Sequence, residues 1–196
     1  MSTDGLLKLA VNTVTAPRDV ARLLLAARLG REALVTAFAL VVVLNALVFG
    51  ISRALFTDGG VSIAVLDSPT AFMALQGASL GATILALTWA GRGLGGQGSY
   101  ADIAVLMIWL QALRVLAQAI TLLILPVSPL LGGVAVMAAT ALGVWIAVHF
   151  IDEAHALGSL VKSILVLVVG LLGMAIALSI LLSAVGITPD RMTGYV

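Results

Sequence analysis

Five long apolar segments dominate this sequence, and they constrain its fold more than any other feature. They are residues 33–51, 71–90, 101–125, 130–151 and 161–186. An α-helix rises about 1.5 Å per residue, so about 20 residues cross the roughly 30 Å hydrocarbon core of a bilayer. Hydrophobic residues make up 62% of the 196 residues and charged residues only 10%, against about 45–50% and about 25% in soluble domains. The sequence therefore predicts an all-α fold, a polytopic transmembrane helix bundle with about five spans in residues 33–186.

The connection between spans 3 and 4 is very short. It consists of Pro126-Val127-Ser128-Pro129. Proline cannot continue the hydrogen-bond ladder of a helix, and a four-residue connection leaves no room for the chain to travel. These two spans are therefore expected to be antiparallel neighbours.

The first 32 residues form a charged segment before span 1. A helix over residues 6–14 would carry its apolar side chains on one side: Leu6, Leu7, Ala10, Val11 and Val14. Lys8 and Asn12 would lie on the opposite side. This pattern predicts a helix lying on the membrane surface within a cytoplasmic N-terminal segment, residues 1–32; the alternative is a frayed tail.

The distribution of Lys and Arg predicts the orientation of the chain. With five spans, seven basic residues share the side of the N-terminus: Lys8, Arg18, Arg22, Arg28, Arg31, Arg92 and Lys162. Only Arg53 and Arg191 fall on the other side. Because cytoplasmic segments carry the excess of basic residues, we expect the N-terminus inside and a short external tail, residues 187–196. The bias toward Ala, Leu, Val and Arg points to a bacterial inner membrane.

Small residues recur at helix-packing spacing in two spans. Gly77 and Gly81 form a G-x-x-x-G pair in span 2, and span 4 has a stripe at every fourth position: Ala135, Ala139, Gly143 and Ala147. Small side chains let helix backbones approach closely in lipid. We expect these positions to pack helix against helix, within one chain or between two copies.

Two patterns near the predicted cytoplasmic face have chemical and non-chemical interpretations. Residues 91–96 match G-x-G-x-x-G but follow a transmembrane helix instead of a strand, so a flexible turn is favoured over dinucleotide binding. The end of span 4 carries four candidate metal ligands: His149, Asp152, Glu153 and His155. Their i,i+3 and i,i+4 spacing suits a metal ion, but no second ligand set exists, so a solvated polar helix end is favoured.

A polar stripe inside span 3 is the strongest functional pattern. The intramembrane polar residues are Asn45 in span 1 and Gln111, Arg114, Gln118 and Thr121 on one face of span 3. Charged groups at this depth are costly and usually face protein or water. We expect Arg114 to point into the bundle and to hydrogen-bond to Asn45, backbone carbonyls or trapped water. Because Asn45 is neutral, a hydrated pocket, an anionic lipid headgroup or a partner's carboxylate must help to compensate the charge. The alternative is an arginine that extends to the membrane interface.

Composition argues against several other function classes. The net charge of +1 and the lack of a basic run with interleaved aromatic residues argue against nucleic-acid binding. Cysteine is absent, which excludes a thiolate nucleophile or thiolate metal site. No residues form a catalytic constellation, so we expect neither an enzyme nor a cofactor.

The order of these parts resembles the Yip family, the Ypt/Rab-interacting five-span membrane proteins, over about residues 17–186. The resemblance is carried by Ala16-Pro17-Arg18, the loop Gly95-Gly96-Gln97-Gly98-Ser99-Tyr100, the Pro126–Pro129 connection, Trp145, His155 and Lys162. It implies a polytopic, non-enzymatic membrane protein. Eukaryotic members act in vesicle trafficking through a larger cytosolic N-terminal region; here that region is about 32 residues, which argues against a small-GTPase partner.

Two functions are consistent with this sequence. The first is a membrane-organising or partner-binding protein, in contact with the lipid bilayer and self-associating or part of a larger assembly. The rival is a small transporter or channel component that uses the polar stripe of span 3 as a path.

Overall fold

The structure, a computed structural model, describes residues 3–56 and 68–184. Within those residues every regular element is an α-helix, and five helices are long and apolar enough to cross a membrane. The predicted fold class, an all-α transmembrane bundle of about five spans, is confirmed. The predicted external tail lies outside the described residues.

Seven helices follow one another along the described chain. Two short helices come first, α1 (Thr3–Thr15) and α2 (Pro17–Ala26). The five candidate spans are α3 (Arg31–Leu55), α4 (Pro69–Gly93), α5 (Tyr100–Ile124), α6 (Pro129–His155) and α7 (Leu160–Ala184). At several ends these helices continue a few residues past the apolar segments, because a helix can extend into the headgroup region, where water satisfies its terminal groups.

Serine caps begin three of the spans. Ser68 and Ser128 precede the prolines that open α4 and α6, and their hydroxyls accept hydrogen bonds from the backbone N–H groups three residues on. Proline fits the first helical position because that N–H has no helical partner. Ser99 and Asp102 form a reciprocal capping box at the start of α5. These local signals determine where each span starts.

The buried core lies in the half of the bundle next to α1 and α2. Its fully buried side chains come from the last turns of α4 and α6 and the first turns of α5 and α7: Leu87, Ile103, Leu106, Phe150, Ile151 and Val166. Helix α5 packs against α6, as the short connection predicted, and α4 packs against α7. Elsewhere many large apolar side chains are exposed, such as Leu123, Leu130 and Met137. Lipid is the solvent that such a surface requires.

The predicted small-residue positions differ in what they contact. A Cβ at Gly77 would meet Phe38 and Val42 of α3 at ordinary contact distances of 3.8 and 3.9 Å. At Gly81 and Gly143 a Cβ would meet nothing within 4 Å, so the expected close contact is not formed there with any described residue. The α6 stripe is buried at Ala147 and partly exposed at its other three positions, Ala135, Ala139 and Gly143.

Helix α7 makes a close helix contact at Gly170, a position that the small-residue spacing did not predict. A Cβ at Gly170 would lie 2.5 Å from Cδ2 of Leu87, and one at Gly173 would lie 3.4 Å from Cβ of Ala86. Helices α4 and α7 therefore approach each other closely because Gly170 has no side chain.

Candidate functional site

The N-terminal helices, the α4–α5 turn and the α6–α7 turn meet on one face of the bundle. Helix α2 packs against the end of α6 and the start of α5, and α1 packs against α2. The backbone N–H of Gln97 donates to the carbonyl of His155, 3.1 Å away, which joins the two turns.

Two ion pairs hold α2 against the end of α6. Nη2 of Arg18 lies 2.7 Å from Oδ2 of Asp152. One helical turn later, Arg22 donates from Nε and Nη2 to the two carboxylate oxygens of Glu153, at 2.7 and 3.3 Å. This forked pairing raises the pKa of the Arg22 guanidinium, so Arg22 stays cationic at physiological pH. The two arginines are four residues apart and therefore lie on one face of α2. They face Asp152 and Glu153, which are adjacent residues of α6.

Asp152 connects three parts of this face. Its side chain is 6% exposed, whereas that of Arg18 is 44% exposed. Besides Arg18, the carboxylate accepts from the backbone N–H of Ser159 at 3.1 Å and from the hydroxyl of Ser163 at 3.3 Å. It therefore joins α2 to the α6–α7 turn and to α7. A buried carboxylate is tolerated because both oxygens are hydrogen-bonded.

His155 is fully buried among three glycines. The N–H of Gly98 donates to its Nδ1 at 3.1 Å, and Nε2 has no hydrogen-bond partner among the described residues. A Cβ at Gly91 would collide with the imidazole ring, and a Cβ at Gly96 or Gly98 would lie 2.6 or 2.7 Å from a His155 atom. Gly91 and Gly96 of the G-x-G-x-x-G segment, together with Gly98 just beyond it, thus make room for a histidine, and the expected flexible turn is instead closed around His155.

Aromatic and basic side chains complete the α4–α5 turn. The Arg92 guanidinium lies over the Tyr100 ring, 4.9 Å from its centroid, and donates from Nε to the carbonyl of Gly98. Nε1 of Trp89 donates to the Tyr100 hydroxyl at 2.7 Å. These contacts fix the turn that surrounds His155.

Helix α1 contacts the side of α5 through a partly buried hydrogen bond. Thr13 is completely buried, and its hydroxyl accepts from Nε1 of Trp109 at 3.0 Å. The predicted apolar side of α1 points outward, with Leu7 65% and Val11 58% exposed. The surface that docks on the bundle is therefore centred on Thr13 and is distinct from the leucine-rich side.

The four metal candidates do not converge on one point. Nδ1 of His149 lies 2.8 Å from the carbonyl of Trp145, Asp152 and Glu153 are paired with arginines, and His155 is enclosed by glycines. Within residues 3–56 and 68–184 no three His, Cys, Asp or Glu side chains are placed to hold a metal ion. The favoured interpretation, a solvated helix end, is also wrong for Asp152 and His155, which are buried because α2 and the α4–α5 turn cover them.

The structure contradicts the expected position of Arg114. Its side chain is exposed on α5 and makes no hydrogen bond or ion pair with residues 3–56 or 68–184. Asn45 is buried, but its side-chain amide donates to the carbonyl of Val41 on its own helix, at 3.1 Å. The prediction that these two residues pair inside the bundle is wrong. The sequence indicates that a charge at this depth needs compensation, but it does not show whether the compensating group belongs to the same chain.

The sequence analysis used Arg18 and Arg22 to predict orientation, and Arg18 as part of the family resemblance, but it missed their ion pairs on this face. Their i,i+4 spacing on a proline-led helix was a usable signal, because such a pair matches two acids at the end of another helix. Their partners lie 134 and 131 residues away.

Comparison with known proteins agrees with this architecture. The model of the Yip1 domain matches residues 11–181, which include α2, the first four spans and most of the fifth. No curated protein and no solved structure matches the chain. The chain is an integral membrane protein that belongs to the Yip family, as the resemblance indicated.

Proposed function

We propose that this protein is a non-enzymatic organiser of the membrane, which holds an amphipathic helix in one leaflet beside a five-span bundle. The observation that carries the proposal is the outward apolar side of α1. Leu7 and Val11 are more than half exposed, and Leu6 and Val14 are 43% and 39% exposed. Helices of this kind bury their apolar side about 5–10 Å into the boundary between headgroups and acyl chains.

The anchoring of α1 supports this role. The Thr13–Trp109 hydrogen bond attaches α1 directly to α5, and α2 is tied to α6 by the Arg18 and Arg22 ion pairs. Because α1 is held at one end of the bundle, it adds volume to one leaflet only. A protein that is wider in one leaflet favours curved membrane and neighbours of complementary shape.

The chemistry of the face supports a role without catalysis or cofactor. Asp152 and Glu153 are each engaged by an arginine, and His155 is enclosed where no solute reaches it. The shallow pocket of about 280 Å³ beside these ion pairs is lined by residues whose charges are already paired. A general acid or base needs an accessible group within reach of a substrate.

The proposal includes an orientation and a compartment. The basic-residue count favours a cytoplasmic N-terminus, which would put α1 in the inner leaflet of a bacterial inner membrane. The protein would act there with lipid, as a self-associating unit or within a larger assembly. The rival transport function needs Arg114 inside the bundle, and its exposed position weighs against that function.

Reconstitution into lipid vesicles tests the proposal. The purified chain, inserted into phosphatidylcholine–phosphatidylglycerol vesicles, should shift their size distribution toward smaller diameters. A Leu7→Gln, Val11→Gln variant should lose the shift, because it removes apolar contact with the leaflet. The control is Lys8→Gln on the opposite side, which should retain it. Vesicles of equal size with the parent chain, with the double variant and without protein would overturn the proposal.

A further inference from the structure

Helix α5 carries three polar side chains that have no partners within the described part of the chain. Gln111, Arg114 and Gln118 lie on one face; Arg114 is exposed and the two glutamines are partly exposed. None of the three side chains hydrogen-bonds to residues 3–56 or 68–184, whereas Thr121 on the same face bonds to the carbonyl of Ala117. Placing charged and polar side chains such as these in the hydrocarbon core of a bilayer costs free energy.

The depth of Arg114 excludes an easy route to water. It lies fourteen residues from Tyr100 and ten from Ile124, or about 21 Å and about 15 Å along the helix. The middle of α5 is therefore only about 3 Å from Arg114, while the edge of the hydrocarbon core lies about 15 Å from the midplane. An extended arginine side chain covers roughly half of that distance.

The part of a second copy that the structure describes does not supply a counter-charge at that depth. Its carboxylate residues are in α1 or α2, or close to span ends on the face that carries these two helices: Asp4, Asp19, Glu32, Asp102, Asp152 and Glu153. The nearest along α5, Asp102, is twelve residues from Arg114, about 18 Å. Copies share one orientation in the membrane, so association keeps these carboxylates at the wrong level.

The length of the polar face also argues against a lipid headgroup as its occupant. Gln111 and Gln118 are seven residues apart, so the face extends over about 10 Å inside the hydrocarbon core. A headgroup would have to descend through the core and still could not contact all three side chains. A neighbouring helix runs parallel to the face and can offer one polar group per turn.

We propose that Gln111, Arg114 and Gln118 form the docking face for a transmembrane helix of a different protein, one that carries a carboxylate near the middle of the bilayer. The carboxylate pairs with the Arg114 guanidinium, and the two glutamine amides hydrogen-bond to polar groups one turn to either side. Charge complementarity selects the partner, since a helix with no acid at this level leaves Arg114 unpaired.

Designed transmembrane peptides test the proposal with the full chain. The probe is a leucine–alanine helix with one central Glu, matched by peptides with Gln, Leu or Lys at that site. Binding is followed by energy transfer in neutral phosphatidylcholine vesicles, with the donor on a cysteine introduced at Val127 of this cysteine-free chain. The Glu peptide should bind about tenfold more tightly than the Leu peptide.

Variants of Arg114 assign the effect to this face. Arg114→Leu should abolish the preference for Glu, Arg114→Lys should keep part of it, and Arg114→Glu should shift it to the Lys peptide. Thr140→Leu, at another exposed polar position on α6, should leave it unchanged.

Three results would overturn the proposal. One is equal binding of the Glu and Leu peptides. Another is Arg114-dependent energy transfer between copies of the chain without peptide binding, which would assign the face to a second copy. The third is binding that requires phosphatidylglycerol, which would assign Arg114 to lipid. None of these results bears on α1, so they are distinguishable from a failure of the vesicle experiment.

Discussion

Removal of the Asp152 carboxylate should destabilise the whole N-terminal face, and the size of the effect follows from its contacts. Asp152 accepts hydrogen bonds from Arg18, Ser159 and Ser163. A hydrogen bond to a charged group contributes about 1.5–3 kcal/mol. The Arg18 contribution is smaller because that side chain is 44% exposed, and the Ser163 hydroxyl keeps a second acceptor in the carbonyl of Ser159. We therefore expect Asp152→Ala to cost about 3 kcal/mol of unfolding free energy.

The substitution series separates charge from hydrogen bonding. Asp152→Asn keeps an oxygen for the Ser159 N–H and loses the charge, so it should cost about half as much as Asp152→Ala. The matched control is Glu153→Ala, which removes the more exposed ion pair to Arg22 and should cost less than about 1 kcal/mol.

Equilibrium unfolding in mixed detergent micelles measures these differences. A double-mutant cycle of Arg18→Ala with Asp152→Ala should show a coupling free energy of about 1 kcal/mol. The reasoning would be refuted if Asp152→Ala and Glu153→Ala lowered the unfolding free energy equally and the effects in the cycle were additive. Asp152 would then not stabilise the contact between the parts that it hydrogen-bonds.

Two further predictions concern the glycines and the α1 contact. Gly91→Ala should lower the unfolding free energy by about 1–3 kcal/mol in the same assay, because the new methyl group collides with His155. Gly143→Ala adds a methyl group in open space and should leave the unfolding free energy unchanged. A rescue of Gly91→Ala by His155→Ala would confirm the cause, and equal stability of the two glycine variants would contradict it. Trp109→Phe should cost about 1 kcal/mol and raise protease cleavage within α1, because Thr13 loses its donor; unchanged cleavage would show that this hydrogen bond does not hold α1.

The spans could be predicted because lipid as solvent makes apolar length the dominant signal. A soluble protein divides its apolar residues between core and surface, but a membrane helix needs an unbroken run, and five such runs are plain in the sequence. The short Pro126–Pro129 connection likewise left one arrangement for α5 and α6. The precise ends were harder to predict; the last turn of α6, which ends at His155, also makes tertiary contacts that its local sequence does not indicate.

The site was harder to predict because its contacts are long-range. Nothing local to Asp152 indicates that a helix from the N-terminus returns to pair with it. The glycines at 91, 96 and 98 look like a flexible turn until His155 is placed among them. Small-residue spacing predicted a helix contact at Gly77, yet the close approach of α4 and α7 depends on Gly170, because spacing alone does not reveal which helix is the neighbour.

The most direct test of the account is which face of the membrane each connection occupies. The chain has no cysteine, so single cysteines can be introduced at Lys8, Gln97, Gly158 and Val127 and labelled with an impermeant maleimide. We expect cysteines at positions 8, 97 and 158 to react only from the cytoplasmic side of inner-membrane vesicles and one at position 127 to react only from the other side. Labelling of position 127 from the same side as position 97 would contradict a five-span bundle with its N-terminal helices on the inner face.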